Sequence, residues 1–293
     1  MRIVNSVSEY LQYLSSIEQT PRTTYTVGCF TLFRGQANSS WTLSPSLYRQ
    51  DLFCAENLLL TEIKHVCPKE IHERRFDTLV KMQHFGMPTR MLDTTTNPLV
   101  ALYFACDSIT EKASDGAVYA FPNVPVSWST DPLVELIMDF VFDYYPEKVW
   151  LDQMLEHAKI KYASSIHRLM PDNIDSLLHY LTIPAFAVMP TKTNERIEAQ
   201  DGAFYIFGMK LRSREVSTNP GTLGRVYYNF DPVDIEKPEI IWPKAETILV
   251  PASAKDGILK QLDLLGINER KLFPDLTHQI SYTVNAVKNH MFK

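Results

Sequence analysis

The chain has only four cysteines in 293 residues, and none forms a CxxC pair. That spacing excludes a zinc ribbon, a thioredoxin-type redox motif and a disulfide-stapled scaffold. Cys29 and Cys106 lie in apolar runs, so both are expected as buried thiols in a reducing, cytosolic compartment. The eight histidines are dispersed without paired ligand spacing, and no metal site is expected. A basic excess is also lacking. Lys and Arg number 29 against 34 Asp and Glu, a net charge of −5, so no general polyanion binder is advertised, although a local basic groove stays open. There is no Walker loop, Rossmann glycine fingerprint, GxSxG or HExxH. No apolar run reaches membrane-spanning length. Arg2-Ile-Val-Asn-Ser leads straight into an amphipathic stretch rather than a signal peptide, and no internal repeat stands out.

What is present is a large apolar fraction, 45% hydrophobic and 11% aromatic. That supports one large domain or two small ones; a single domain over residues 1–293 is expected. Val7, Tyr10, Leu11 and Leu14 predict a helix over Ser6–Ile17, capped by Ser8 or Ser6. Thr26–Arg34 reads as the first strand, and Asn38–Arg49 as a loop with Trp41 and Leu47 packed beneath it. Leu52–Val66 and Glu73–His84 read as helices, and Thr89–Leu92 as a short strand. Pro98 opens a Leu99–Cys106 helix, and Ala117–Phe121 is a further strand. Residues 131–181 then turn helical, a stretch expected as a lobe or lid. Strands are expected at Ala185–Met189, Ala203–Gly208, Val226–Phe230 and Thr247–Pro251. An amphipathic helix over Ala254–Leu265 ends at Gly266, and Pro274–Val287 forms the last helix. Strands scattered between helices argue for α+β.

Two polar clusters carry the chemical interest. Gln83 to Cys106 places an imidazole, a guanidinium, a carboxylate and several threonine hydroxyls directly before a buried helix. A packed helix behind a polar strand holds side chains for chemistry or ligand binding. Upstream, Arg34 closes a strand-like run, with a planar fork suited to phosphate or carboxylate. Gly35 after it lets the backbone turn or a ligand come close.

Together these clusters identify the chain as resembling the FRG domain family. The resemblance is carried by Phe33-Arg34-Gly35-Gln36, then Trp41 to Leu47 and Arg49, then Gln83 to Thr94. A third block runs from Asn194 to Phe204, and a fourth from Leu272 to Leu276. The order of blocks is similar to that of ADP-ribosyltransferases, which implies a split, mixed or antiparallel sheet with flanking helices and a helical insertion. It further implies NAD as co-substrate, ADP-ribose transfer to a macromolecular acceptor, and a role as a toxin or antiviral defence effector with a neutralising antitoxin protein. The acceptor would be RNA, such as messenger RNA, or DNA or protein.

The resemblance assigns roles by residue. Arg34 would clamp a phosphate or the ribose hydroxyls, the Gly35 backbone would meet the nicotinamide amide, and Gln36 would support either. Thr94, Thr95 and Thr96 would hold the ribose or orient neighbours. Arg196 would reach the pyrophosphate. Gln200 stands where related transferases commonly place a glutamate, and a neutral amide stabilises a cation less well. Asp201, Glu198 and Glu195 are alternative carboxylates, and Gln200 equally reads as a turn residue satisfying backbone groups. His84 reads as a proton carrier, a ribose binder or a helix C-terminal cap. Asp93 reads as the partner of Arg90 or Arg34. The Lys159-Ile-Lys161-Tyr162 and His167-Arg168 stretch reads as a solvated helix face or a nucleic-acid contact. Two other functions fit the same residues: a non-catalytic nucleotide-sensing module, and a metal-independent nuclease built on His84 and Asp93.

Overall fold

The computed structural model describes residues 2–17, 28–108, 110–163, 171–192 and 194–291. Among these, the strands are β1 (Arg2–Ile3), β2 (Cys29–Gln36), β3 (Met91–Thr95), β4 (Gly116–Pro125), β5 (Ser127–Trp128), β6 (Ala185–Met189), β7 (Gly202–Phe207), β8 (Met209–Val216), β9 (Val226–Pro232) and β10 (Glu246–Val250). Eight form one sheet in the order β1-β10-β4-β2-β3-β7-β6-β5, and β8 and β9 form a separate hairpin. The outermost pairs, β1–β10 and β5–β6, are parallel, and the rest are antiparallel. The fold is therefore mixed α/β with a mostly antiparallel sheet.

Alternation along β4 sets the layers. Ala117, Tyr119 and Phe121 enter one apolar cluster, while Val118 and Ala120 enter another. A strand buried on both faces needs helices on both. One face is covered by the helices Glu56–Val66, Arg75–His84, Pro132–Asp143, Leu151–Lys161 and Ile174–Thr182. The other is covered by Val7–Leu14, Pro98–Cys106 and Ala252–Leu264.

The stretch expected as a lobe or lid is thus core. Leu133, Leu136, Met138 and Phe140 are buried in the same cluster as Phe76, Leu79 and Phe204. Its basic face is neutralised locally: Lys161 pairs with Asp139, Lys159 with Glu156, and the Tyr162 hydroxyl donates to Asp139. His167 and Arg168 lie outside the described residues.

Several expected boundaries move for identifiable reasons. The strand expected at Thr89–Leu92 lies at Met91–Thr95, so Asp93, Thr94 and Thr95 belong to it and pair with β7. β2 begins at Cys29 and continues through Gln36; the expected start at Thr26 falls outside the described residues. Cys29 is exposed, not buried, because it is the first residue of that strand. Beneath the loop, Leu43 and Leu47 are buried, and Trp41 stays 47% exposed. Ser6, not Ser8, caps the first helix, accepting from the Glu9 N–H. β8 escapes a pattern reading because most of its exposed positions are charged, including Lys210, Arg214 and Glu215. No helix among the described residues is long and apolar enough to cross a membrane.

The Pro98–Cys106 helix is the element that positions the site. Asn97 caps it by accepting from the Leu99 N–H, and Pro98 fills the first turn, where its missing N–H costs nothing. The helix lies directly on two glycines. A Cβ on Gly35 would sit 1.9 Å from the Ala101 carbonyl oxygen, and one on Gly116 would sit 2.0 Å from that of Ala105. A buried lysine locks the neighbouring helix to the same place: Lys255 Nζ donates to the carbonyls of Ala37 and Glu111 at 2.6 and 3.0 Å.

Gly116→Ala is expected to destabilise the protein by about 2 kcal/mol or more, because backbone must move to admit the methyl group. Gly257→Ala, in open space within the Ala252–Leu264 helix, is expected to stabilise it by about 0.5–1 kcal/mol. Urea unfolding midpoints of the two variants check the contrast; equal shifts in the same direction would contradict the packing described.

Candidate active site

The sheet opens at its centre. β2 pairs with β4 at seven positions and β3 with β7 at five, but β2 and β3 meet only at Phe33↔Thr95. Beyond that pair the strands separate, and a cleft occupies the opening. Its floor is Phe33–Gly35 of β2 and Asp93–Thr95 of β3, with Val100 and Phe104 of the Pro98–Cys106 helix. One wall is the end of the Arg75–His84 helix; the other is Asn194 to Gln200 with the start of β7. The space between the walls, out to the open mouth, is about 1030 Å³.

Arg34 spans the opening. Its Nη1 donates to the main-chain carbonyl of Asp93 at 2.7 Å, and its Nε is buried with no hydrogen-bond partner. It has no ion pair with a carboxylate within 4 Å among the described residues. Burial pushes the guanidinium below its ordinary pKa, the charge of Asp93 works the other way, and Arg49 adds repulsion. The fork keeps donor capacity directed at an anion.

Asp93 is the one residue of β3 that is exposed. Its Oδ1 accepts from Gln83 Nε2 at 2.8 Å, and the Thr89 hydroxyl holds the other end of the Gln83 amide. The expected pairing with Arg90 does not occur. Arg90 is buried against Glu56, with Nε donating to the two carboxylate oxygens at 3.0 and 2.8 Å, and its guanidinium lies over the Phe53 ring. Burial on the opposite side of the strand turn requires a buried counter-charge, and Glu56 on the neighbouring helix is the one within reach.

The threonines divide the work. Thr94 lines the cleft, and its hydroxyl is buried without a hydrogen-bond partner. Thr95 is committed instead: its hydroxyl donates to the Gln200 carbonyl at 2.7 Å and accepts from the Asn97 N–H. Thr96 donates its N–H to the Asp201 carbonyl at 3.0 Å. Asn97 Nδ2 donates to Asp201 Oδ2 at 3.1 Å. The second block is therefore the clasp for the third. Asp201 is left-handed, with φ of 47°, at the turn into β7.

Gln200 lines the cleft, yet its side-chain amide donates to the Leu272 carbonyl at 3.0 Å. The turn-residue reading thus describes its amide in this structure. Arg196 lines the same wall, with its guanidinium 4.7 Å from the Phe273 ring centre. Phe273 also meets Phe104 edge-on and stacks on His278, whose Nδ1 lies 2.7 Å from Asp275. The fourth block thereby forms the rim beside Arg196. His84 faces the cleft from the last turn of its helix. Burial lowers its pKa, Arg196 and His278 lower it further, and Asp275 and Asp93 oppose.

Seven of the expected site residues converge: Arg34, Gly35, His84, Thr94, Thr95, Arg196 and Gln200 all line the cleft. Gln36 does not. It is buried, and its amide donates to the Thr42 carbonyl. Gly35 answers first to the helix above it, where Ala101 leaves no room for a side chain. Pattern reading gave no role to Gln83 and Phe104, which line the cleft, or to Glu56, which pairs with Arg90. Gln83 and Glu56 act across turns of chain too distant for spacing to register.

Glu56→Ala is expected to cost about 3–5 kcal/mol, because it strands the Arg90 guanidinium in the core. Glu56→Leu with Arg90→Met is expected to recover much of that loss. Denaturant unfolding of the single and double variants measures it; a double variant as unstable as Glu56→Ala would contradict the assignment.

Against known proteins, residues 30–114 match the family model described as the FRG domain. No curated protein and no solved structure matches the chain. That stretch, which supplies Arg34, His84, Asp93 and Thr94 to the cleft, is similar to an FRG domain.

Proposed function

We propose that this protein is an NAD-dependent ADP-ribosyltransferase, an intracellular toxin or antiviral defence effector that moves ADP-ribose from NAD to RNA, DNA or protein. The observation that carries the reading is Arg34 on the floor of the opening between β2 and β3, with no carboxylate partner and its Nε buried and unpartnered among the described residues. Arg196 stands on a wall of the same cleft. Two guanidiniums with free donors suit a diphosphate. The orphaned Thr94 hydroxyl suits a ribose hydroxyl, and the apolar faces of Phe104 and Phe204 suit flat rings. The order of these parts along the chain is the order found in ADP-ribosyltransferases. Such a toxin calls for an antitoxin partner in its own host.

In the reaction, the bond between ribose C1′ and the nicotinamide nitrogen breaks, and its electron pair leaves with nicotinamide. The sugar carries the positive charge, as in glycoside cleavage. The acceptor forms the new bond at C1′ and gives up a proton. His84, held neutral by burial and by Arg196, is placed to take it. A second reading rests on one observation. No third-block carboxylate lines the cleft and Gln200 is engaged with Leu272, which favours a nucleotide-sensing module that binds without turnover.

Labelled NAD incubated with the protein and whole-cell extract decides between the two. Transfer predicts label in one acceptor class together with nicotinamide release; binding by calorimetry without release would favour the sensor. Arg34→Ala is expected to weaken NAD binding ten- to a hundredfold, the loss of about 1.5–3 kcal/mol from a charge-assisted contact, while the fold persists. Full activity in a folded Arg34→Ala would contradict the reading.

The pH profile offers a separate check. Because His84 gains its proton only below the ordinary histidine value near 6.5, transfer is expected to hold through that pH and to fall on further acidification. His84→Gln is expected to be slower and to lack that acid limb; an unchanged limb would remove His84 from the proton step.

A further inference from the structure

We infer that Asp93 is the carboxylate that faces the sugar cation, the task that the third block would otherwise perform. The inference rests on the transferase reading above. Asp93 is the sole carboxylate lining the cleft among the described residues. Glu195 and Glu198 are exposed on the short Glu195–Ala199 helix and line no part of it. Asp201 is turned away into the clasp, bonded to Asn97. Gln200 carries no charge, and its amide is spent on Leu272.

The geometry around Asp93 is that of a group held for use. Met91, Leu92, Thr94 and Thr95 on either side are buried, and Asp93 alone emerges into the opening. Gln83 fixes Oδ1 at 2.8 Å and is itself fixed by Thr89, whose side chain is fully buried. Oδ2 has no hydrogen bond among the described residues. Arg34, although adjacent, donates to the main-chain carbonyl of Asp93 and leaves the carboxylate uncommitted. One residue thus orders the anion clamp through its backbone and presents a negative charge through its side chain. A preorganised charge aimed at developing charge is the largest single contribution many active sites make.

In the step itself, the C1′–N bond of NAD breaks and nicotinamide leaves neutral with the electron pair. Asp93 forms no bond; its charge opposes the positive charge shared by C1′ and the ring oxygen. Water or the acceptor hydroxyl then bonds to C1′, and its proton passes to His84 and on to solvent. Nothing is oxidised or reduced. Gln83 is a positioning residue, acting through Asp93.

The test is steady-state nicotinamide release from NAD by the full chain, paired with NAD calorimetry. Asp93→Asn is expected to lower kcat by about 10²–10³-fold. Its KM and NAD affinity are expected to stay near those of the unsubstituted protein. Glu198→Gln is expected to release nicotinamide at the unsubstituted rate. Asp93 is exposed, so thermal unfolding of Asp93→Asn is expected to match the unsubstituted protein. An active protein whose Asp93→Asn variant keeps its kcat would overturn the inference and leave the transferase reading intact. So would a folded variant that loses NAD affinity in step with rate. An unsubstituted protein that neither binds NAD nor releases nicotinamide would overturn the transferase reading itself.

Discussion

One hydrogen bond bridges a break in the central sheet: Arg34 Nη1 to the carbonyl of Asp93. Everything at the cleft is arranged around that break. β2 is held on one side by β4 and by the Pro98–Cys106 helix resting on Gly35. β3 is held on the other by β7. The strands meet at Phe33 and Thr95 and then part, and the separation opens into the cleft where the ladder would continue. A sheet with a missing run of ladder bonds leaves strong donors and acceptors in need of partners. Arg34 satisfies one of them and keeps further donors for a ligand.

The surroundings are stiff where they must be. The third block is tied to the second by Thr95, Thr96 and Asn97, and to the fourth by Gln200 and the Arg196–Phe273 contact. Behind β3, the Arg90–Glu56 pair is fully enclosed, with Tyr48 and Phe207 packed around it. Such a pair contributes less to stability than to uniqueness of register, because a slip of one residue would bury the guanidinium without its partner. The helices Pro132–Asp143, Leu151–Lys161 and Ile174–Thr182 complete that side of the core and line no part of the cleft.

Much of this was legible in the sequence, and the parts that were not share a cause. Arg34, Thr94 and Arg196 line one cleft, so the order of blocks along the chain matches their convergence in space. The Pro98–Cys106 helix was legible from Pro98, whose signal is local. Gln36 shares a strand face with Arg34, two residues earlier, but it is buried with its amide committed to the Thr42 carbonyl, a contact that alternation alone does not reveal. Of the two partners open to Asp93, Arg90 is taken elsewhere, because burial sends it to Glu56, 34 residues earlier. Trp41 was expected beneath the loop with Leu47, but Leu43 and Leu47 are the buried residues and Trp41 is exposed. Long-range partners and strand facing are set by tertiary packing, which spacing along the chain does not encode.

The most direct test of the central claim is a crystal structure of the protein with a non-hydrolysable NAD analogue. The account predicts the dinucleotide in the opening between β2 and β3. Its diphosphate should lie against Arg34 and Arg196, and its nicotinamide ribose should lie within reach of Thr94 and the Asp93 carboxylate. An analogue bound elsewhere on the molecule, or a cleft that stays empty at saturating concentration, would contradict it.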